Sequence, residues 1–214
     1  MRFADAVERL AELPASPPDG PAGLMPVLAT TGASRVWPRA DESTARPAAV
    51  LVLVYPDETG DARILLTERA DRGGHHSGEV SFPGGRAEPR DADAVATALR
   101  EAAEEVGLDP SAAGVRVLGT WPPLWIPVSD YAVTPVLAIA ERRPTFTPQP
   151  TEVARVVEAP VRAILPDAEL THHERDIRGW RVRYAAYPID GLAVWGMTAR
   201  VLGALGALLG GHGA

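Results

Sequence analysis

The sequence predicts a mixed β-sheet with helices on its two faces, an α+β arrangement within the broad α/β class. Strand candidates outnumber helix candidates, and the helix candidates are separated along the chain instead of clustered. Neither an internal repeat nor a dinucleotide-type Gly-x-Gly-x-x-Gly loop is present.

Residues 1–13 place Asp5, Glu8 and Glu12 among apolar positions, which interrupts the apolar centre a signal peptide needs and predicts a short amphipathic helix. Residues 14–47 are rich in Pro, Gly, Ala and Ser without periodicity, so the helix and an extended arm occupy 1–47 and the main domain 48–214. Two continuous apolar runs, 48–55 and 62–67, flank the turn-rich Asp57-Glu58-Thr59-Gly60-Asp61 and predict two core strands in a hairpin. A short strand over 79–82 is closed by Pro83-Gly84-Gly85.

Residues 92–106 predict a helix. Leu99, Ala102, Ala103 and Val106 recur at i, i+3, i+4 and i+7 as a core-facing stripe, leaving Thr97, Arg100, Glu101, Glu104 and Glu105 on the other side. Gly107 follows as a C-terminal cap. Further strands are expected over 115–121, 133–140, 173–177 and 181–186, with Trp121, Trp125 and Tyr131 flanking a loop over 122–130 that can close on a ligand or simply pack. The run 192–209 contains Arg200 and several glycines and is marginal in length for a membrane span, so a packed helix is expected there. Trp195 and Met197 on it suit core or a dimer contact.

Composition narrows the function. A chain of 214 residues with 46% hydrophobic content sustains one substantial domain. A net charge of −7 without any Lys/Arg run argues against a sequence-independent nucleic-acid binder. The absence of cysteine excludes disulfides, thiolate metal sites and a cysteine nucleophile. A cytoplasmic protein acting on a small molecule, with neither nucleic acid nor membrane as partner, is the default expectation, as a monomer or homodimer.

The chemistry is concentrated on the acidic helix. Glu101 lies three residues from Glu104 and four from Glu105, so like charges are neighbours, and Arg100 relieves only part of the repulsion. Hard divalent cations take carboxylate oxygens, keep waters and bridge to substrate phosphates, so such a cluster is a half-site for magnesium, with manganese as a substitute. A solvated acidic face is the competing reading for the glutamates alone. Upstream, Phe82-Pro83-Gly84-Gly85 supplies a turn where backbone can approach a ligand closely.

The order Gly85, an acidic loop, then Arg100-Glu101-x-x-Glu104-Glu105-x-Gly107-Leu108 resembles the Nudix box, Gly-x5-Glu-x7-Arg-Glu-U-x-Glu-Glu-x-Gly-U with U apolar. Fourteen residues separate Gly85 from Arg100 where the box has thirteen. Ala92 therefore occupies the place of the first glutamate, with Asp91 and Asp93 as the flanking alternatives. The longer spacing is similar to the coenzyme A pyrophosphatase subgroup, which carries Leu-Leu-Thr-x-Arg-(Ser/Ala) and then Gly-x3-Phe-Pro-Gly-Gly. This chain has Leu65-Leu66-Thr67-Glu68-Arg69-Ala70 and Gly78-Glu79-Val80-Ser81-Phe82-Pro83-Gly84-Gly85. Gly74 stands where that subgroup usually has arginine, with Arg72 and His75 nearby. Trp195-Gly196-Met197-Thr198-Ala199 also resembles bacterial members.

The resemblance implies a Nudix-type sheet sandwiched between helices and magnesium-dependent cleavage of the diphosphate of coenzyme A or acyl-coenzyme A, giving 3′,5′-ADP and 4′-(acyl)phosphopantetheine. Glu101 and Glu105 are expected to hold the metal, with help from Glu104 and a carbonyl of Gly84 or Gly85, while Arg100 orients them. Glu152, in Pro150-Thr151-Glu152-Val153, is the candidate general base, and a surface glutamate is the alternative. Arg69, Arg72, His76, Phe82 and Arg86 form the candidate substrate-binding set, with a core position competing for Phe82. His172 and His173 are expected to be strand or solvated residues. Competing functions are a Nudix hydrolase for NADH, a nucleotide sugar or an oxidised nucleotide, and a non-catalytic Nudix-like ligand sensor. A phosphatase with a covalent intermediate lacks a recognisable nucleophile motif.

Overall fold

A computed structural model describes residues 1–33, 45–70, 79–126, 129–177 and 179–211. The expected hairpin is present as β2 (Arg46–Pro56) and β3 (Ala62–Arg69), paired antiparallel. The continuous apolar run of β2 reflects burial on both faces, with Val50, Val52 and Val54 entering one core cluster and Ala49, Leu51, Leu53 and Tyr55 the other. The second cluster is roofed by α2 (Ala94–Val106), the first by α4 (Gly196–Gly210), so helices cover opposite faces of the sheet.

The large sheet adds β4 (Val80–Ser81), β5 (Gly84–Arg86), β6 (Val115–Thr120), β7 (Leu124–Ile126), β8 (Tyr131–Ala140) and β9 (Val153–Pro160). Its main path is β4-β3-β2-β8-β6, with β2 and β8 parallel and β9 antiparallel to β3. A short α3 (Pro110–Ala113) links α2 to β6. A smaller sheet is built from β1 (Val27–Leu28), β10 (Thr171–Ile177), β11 (Trp180–Ile189) and β12 (Leu192–Val194). The fold is thus the expected α+β mixture.

Several expectations change in detail. The first helix, α1, covers only Phe3–Arg9, yet Ala6 and Leu10 join the main core and Arg9 donates to the Leu209 carbonyl at the end of α4. The segment 192–209 is divided into strand β12 and helix α4, and no helix among the described residues is long and apolar enough to cross a membrane. Within α4, Gly206 lies so near the Ile164 carbonyl that a side chain there would collide with it. Strand β9 was not expected because Arg155 and Glu158 interrupt its apolar pattern, and β7 occupies part of the expected 122–130 loop.

The buried face of α2 is also rotated from the expected one. Ala98, Ala102 and Val106 face the core with Thr97 and Glu105, whereas Ala103 is exposed and Leu99 only partly buried. The stripe was counted on apolar residues alone, and the structure buries two polar side chains that have partners there.

Candidate active site

The site assembles where β5 meets α2. Gly84 and Gly85 pair with Val50 and Ala49 of β2, and α2 crosses the same region. Gly84 has φ +155° and a Cβ there would strike the Ala49 carbonyl, while a Cβ on Gly85 would lie 2.6 Å from the Glu101 carboxylate carbon. The glycine pair therefore lets strand backbone and helix carboxylates approach as side chains would not allow.

Glu105 is only 6% exposed, and its Oε2 accepts the Gly84 N–H at 3.1 Å. Burial pushes its carboxyl up to about 7; the Gly84 N–H and the charge of Arg69 oppose this, and Glu101 and Glu152 add to it. Glu101 is also raised, chiefly by burial, against the lowering effect of Arg100, whose Nη1 it meets at 3.0 Å. The two carboxylates, Glu105 buried and Glu101 half-buried, lie one helical turn apart, and burial disfavours the charged form of both.

Arg100 organises this end of the helix. Its Nε and Nη2 donate to the two carboxylate oxygens of Asp91, both at 3.0 Å, and Nη1 meets Glu104 at 3.0 Å. Nη2 also donates to the Arg86 carbonyl at 3.1 Å. Asp91, its side chain 4% exposed, further accepts the Glu88 N–H and the Thr97 hydroxyl. These donors, Arg100 foremost, hold its carboxyl well below the usual range. Asp93 is used otherwise: its Oδ1 accepts the Ala96 N–H at 2.8 Å and caps α2. Of the two alternatives, Asp91 is the acid joined to Arg100.

Glu152 is brought to the same end of α2 by backbone contacts. The segment before it follows the last turn of α2, with the Thr147 N–H on the Val106 carbonyl and the Gln149 N–H on the Glu105 carbonyl, both at 2.8 Å. The Ala70 N–H, just past Arg69, donates to the Glu152 carbonyl at 2.9 Å. The charges of Arg69, at the end of β3, and of Glu152, just before β9, both bear on Glu105.

Glu104 is exposed and shared by Arg90 and Arg100, beside Glu101 and Glu105. Arg86 is exposed near the same corner through its backbone contact with Arg100. Phe82 corrects the expected substrate-binding set: at 1% exposure it is part of the main core, where no ligand ring can stack on it. Arg72 and His76, with Gly74 and His75, fall outside the described residues. His173 stacks on Tyr184 within the smaller sheet, and the Trp125 indole donates to Asp130. The support that Thr97 gives Asp91 was missed; the signal was a threonine inside a helix that otherwise favours Ala, Leu and Glu.

The NUDIX domain model matches residues 45–181, which include every element of this site. The chain belongs to the Nudix family. Among curated Nudix relatives, Nudix hydrolase 22, chloroplastic, of Arabidopsis thaliana is 40% identical over 163 residues, covering 73% of this chain and 53% of the relative. The uncharacterized Nudix hydrolase NudL of Yersinia pestis (strain Pestoides F) is 37% identical over 164 residues, covering 75% of this chain and 78% of its own. The chain thus spans about half the length of the plant Nudix relative and most of the bacterial one. The crystal structure of a Nudix hydrolase from M. smegmatis, RenU, aligns with a TM-score of 0.47 at 24% identity, covering 64% of this chain and 80% of that one.

Nudix hydrolases generally need a divalent metal ion, and the residues present fit one. Glu101 and Glu105 offer two carboxylates that burial and mutual repulsion leave wanting a cation, beside the backbone of Gly85. Among the described residues no three acidic or histidine side chains form a closed cage, and magnesium does not require one, since it keeps waters and shares substrate phosphates.

Proposed function

We propose that this Nudix protein hydrolyses the diphosphate of coenzyme A or acyl-coenzyme A to 3′,5′-ADP and 4′-(acyl)phosphopantetheine, with magnesium or, in its place, manganese. The observation that carries the hydrolase reading is the Glu101–Glu105 pair, with Glu105 buried, set against Gly84 and Gly85. The coenzyme A reading rests on the Leu65–Ala70 and Gly78–Gly85 motifs and on the additional residue before Arg100. We assign the activity to the domain over 48–214, with 1–47 as helix and arm.

In this reading Glu101 and Glu105 hold the metal with the Gly85 carbonyl, and Glu104 assists from the rim. When bound, the cation neutralises the diphosphate and acidifies the attacking water. Asp91 fixes Arg100, and Arg100 fixes Glu101 and Glu104. Glu152 removes the proton from the water that attacks one phosphorus, and the bridging P–O bond breaks to leave two phosphate monoesters. Arg69 neutralises a phosphate, while Arg72, His76 and Arg86 contact the substrate.

Product identification after incubation with coenzyme A and magnesium tests the reading, with NADH assayed in parallel. Adenosine 3′,5′-diphosphate is the expected product. Turnover of NADH with coenzyme A left intact would move the chain to another Nudix substrate, and no magnesium-dependent hydrolysis across a nucleotide panel would favour a ligand sensor.

A further inference from the structure

Arg155 lies outside the Nudix box, yet it sits at an irregularity beside the site. Along the β3–β9 ladder Glu68 faces Arg155, but Arg69 faces Val153, so Ala154 is an extra residue and the ladder slips between Glu68 and Arg69. A bulge of this kind disrupts the ladder and re-aims the neighbouring side chains. Here its neighbour is Arg69, which shares the α2 side of the sheet with Leu65 and Val153.

One guanidinium lies beside the bulge. Arg155 Nε meets Glu68 Oε2 and Nη1 meets Asp190 Oδ2, both at 2.6 Å, and Nη2 donates to the Asp190 carbonyl at 3.2 Å. Asp190 sits in the β11–β12 turn with φ 51°, a left-handed conformation uncommon outside glycine. Arg155 thereby joins β3, β9 and the C-terminal hairpin. Beyond the bulge the Arg69 N–H donates to the Glu79 carbonyl at 3.0 Å and the Ala70 N–H to the Glu152 carbonyl at 2.9 Å. The side chains of Arg155, Glu68 and Asp190 are 42%, 22% and 61% exposed, so ion pairing this wet adds little to global stability.

We propose that Arg155 is a positioning residue: by clamping Glu68 and Asp190 it fixes the bulge that aims Arg69 at the carboxylates of α2. This rests on the phosphate-binding role given to Arg69 under the proposed function.

The test uses the full chain as wild type, R155A, R155K, R69A and R155A/R69A. Amide hydrogen exchange at Arg69 and Ala70 reads the bulge without reference to any substrate, and steady-state hydrolysis of coenzyme A reads the consequence. In R155A, exchange at these two amides is expected to accelerate about tenfold or more while the thermal midpoint stays within a few degrees. KM should rise about tenfold with a smaller change in kcat, and R155A should add nothing to R69A. R155K keeps the charge without the fork and should recover only part of the loss. Wild-type exchange protection in R155A, or an R155A effect that multiplies in full on R69A, overturns the proposal. If R69A alone leaves KM unchanged, the phosphate role of Arg69 falls, and the exchange rates still decide whether Arg155 holds the bulge.

Discussion

Asp91 and Arg100 form a two-point ion pair, with Nε and Nη2 of the arginine each 3.0 Å from a different oxygen of the carboxylate. The pair joins the acidic loop to α2 and sets the direction from which Arg100 meets Glu101 and Glu104.

Asp91 and Asp93 should therefore separate by phenotype. Asp91→Asn leaves the helix cap intact but weakens the grip on Arg100, so magnesium-dependent turnover should fall about 10–100-fold, as for residues that orient metal ligands. Asp93→Ala removes the cap and should cost about 0.5–2 kcal/mol of stability with turnover nearly unchanged. Kinetics and denaturant unfolding of the two variants check this; equal turnover in both would contradict the division.

Glu105→Gln should nearly abolish turnover while the thermal midpoint holds or rises in chelator. Its carboxylate is buried, and the amide that replaces it can still accept the Gly84 N–H without carrying charge. Wild-type activity in this variant would remove Glu105 from the metal site.

The same carboxyl predicts a pH dependence. In the folded chain it titrates at about 7 against an ordinary 4.5, so folded protein binds its proton more tightly than unfolded protein does. Its contribution to stability is complete below the ordinary value and is lost as pH rises through the folded one. The melting temperature in chelator should therefore decline across that interval more in wild type than in Glu105→Gln, and magnesium should restore the wild type at the alkaline end. Parallel melting curves for the two proteins would argue against a buried, cation-seeking Glu105.

Gly84 and Gly85, though adjacent, should respond differently to alanine. At Gly84 the new Cβ meets the rigid Ala49 backbone in a left-handed conformation, so folding should suffer first. At Gly85 it meets the movable end of Glu101, so the chain should fold while metal-dependent turnover falls. Expression yield, melting temperature and magnesium titration of activity distinguish the two outcomes.

Much of the fold was legible because burial on both faces writes itself plainly into sequence. The run over 48–55 had to be a core strand, and the glutamate spacing over 101–105 had to place carboxylates side by side on a helix. The order of glycines, arginine and glutamates also pointed to the family, since that pattern is local along the chain. Strand β9 was not legible, because a half-covered strand carrying Arg155 and Glu158 has no periodicity that distinguishes it from a loop. Phe82 carried both readings for a related reason: an aromatic ring beside a glycine turn can be core or ligand contact, and the packing around it makes it core.

By itself, then, the sequence determined the α+β class, the acidic helix and the family. Tertiary structure decided which aspartate holds Arg100, which glutamate is buried, and that Arg69 and Glu152 bear on the same carboxylate. Those decisions depend on how the chain brings groups together, from Asp91 and Arg100 nine residues apart to Glu152 and Glu105, and on loss of water around Glu105; residue spacing encodes neither contact in space nor desolvation.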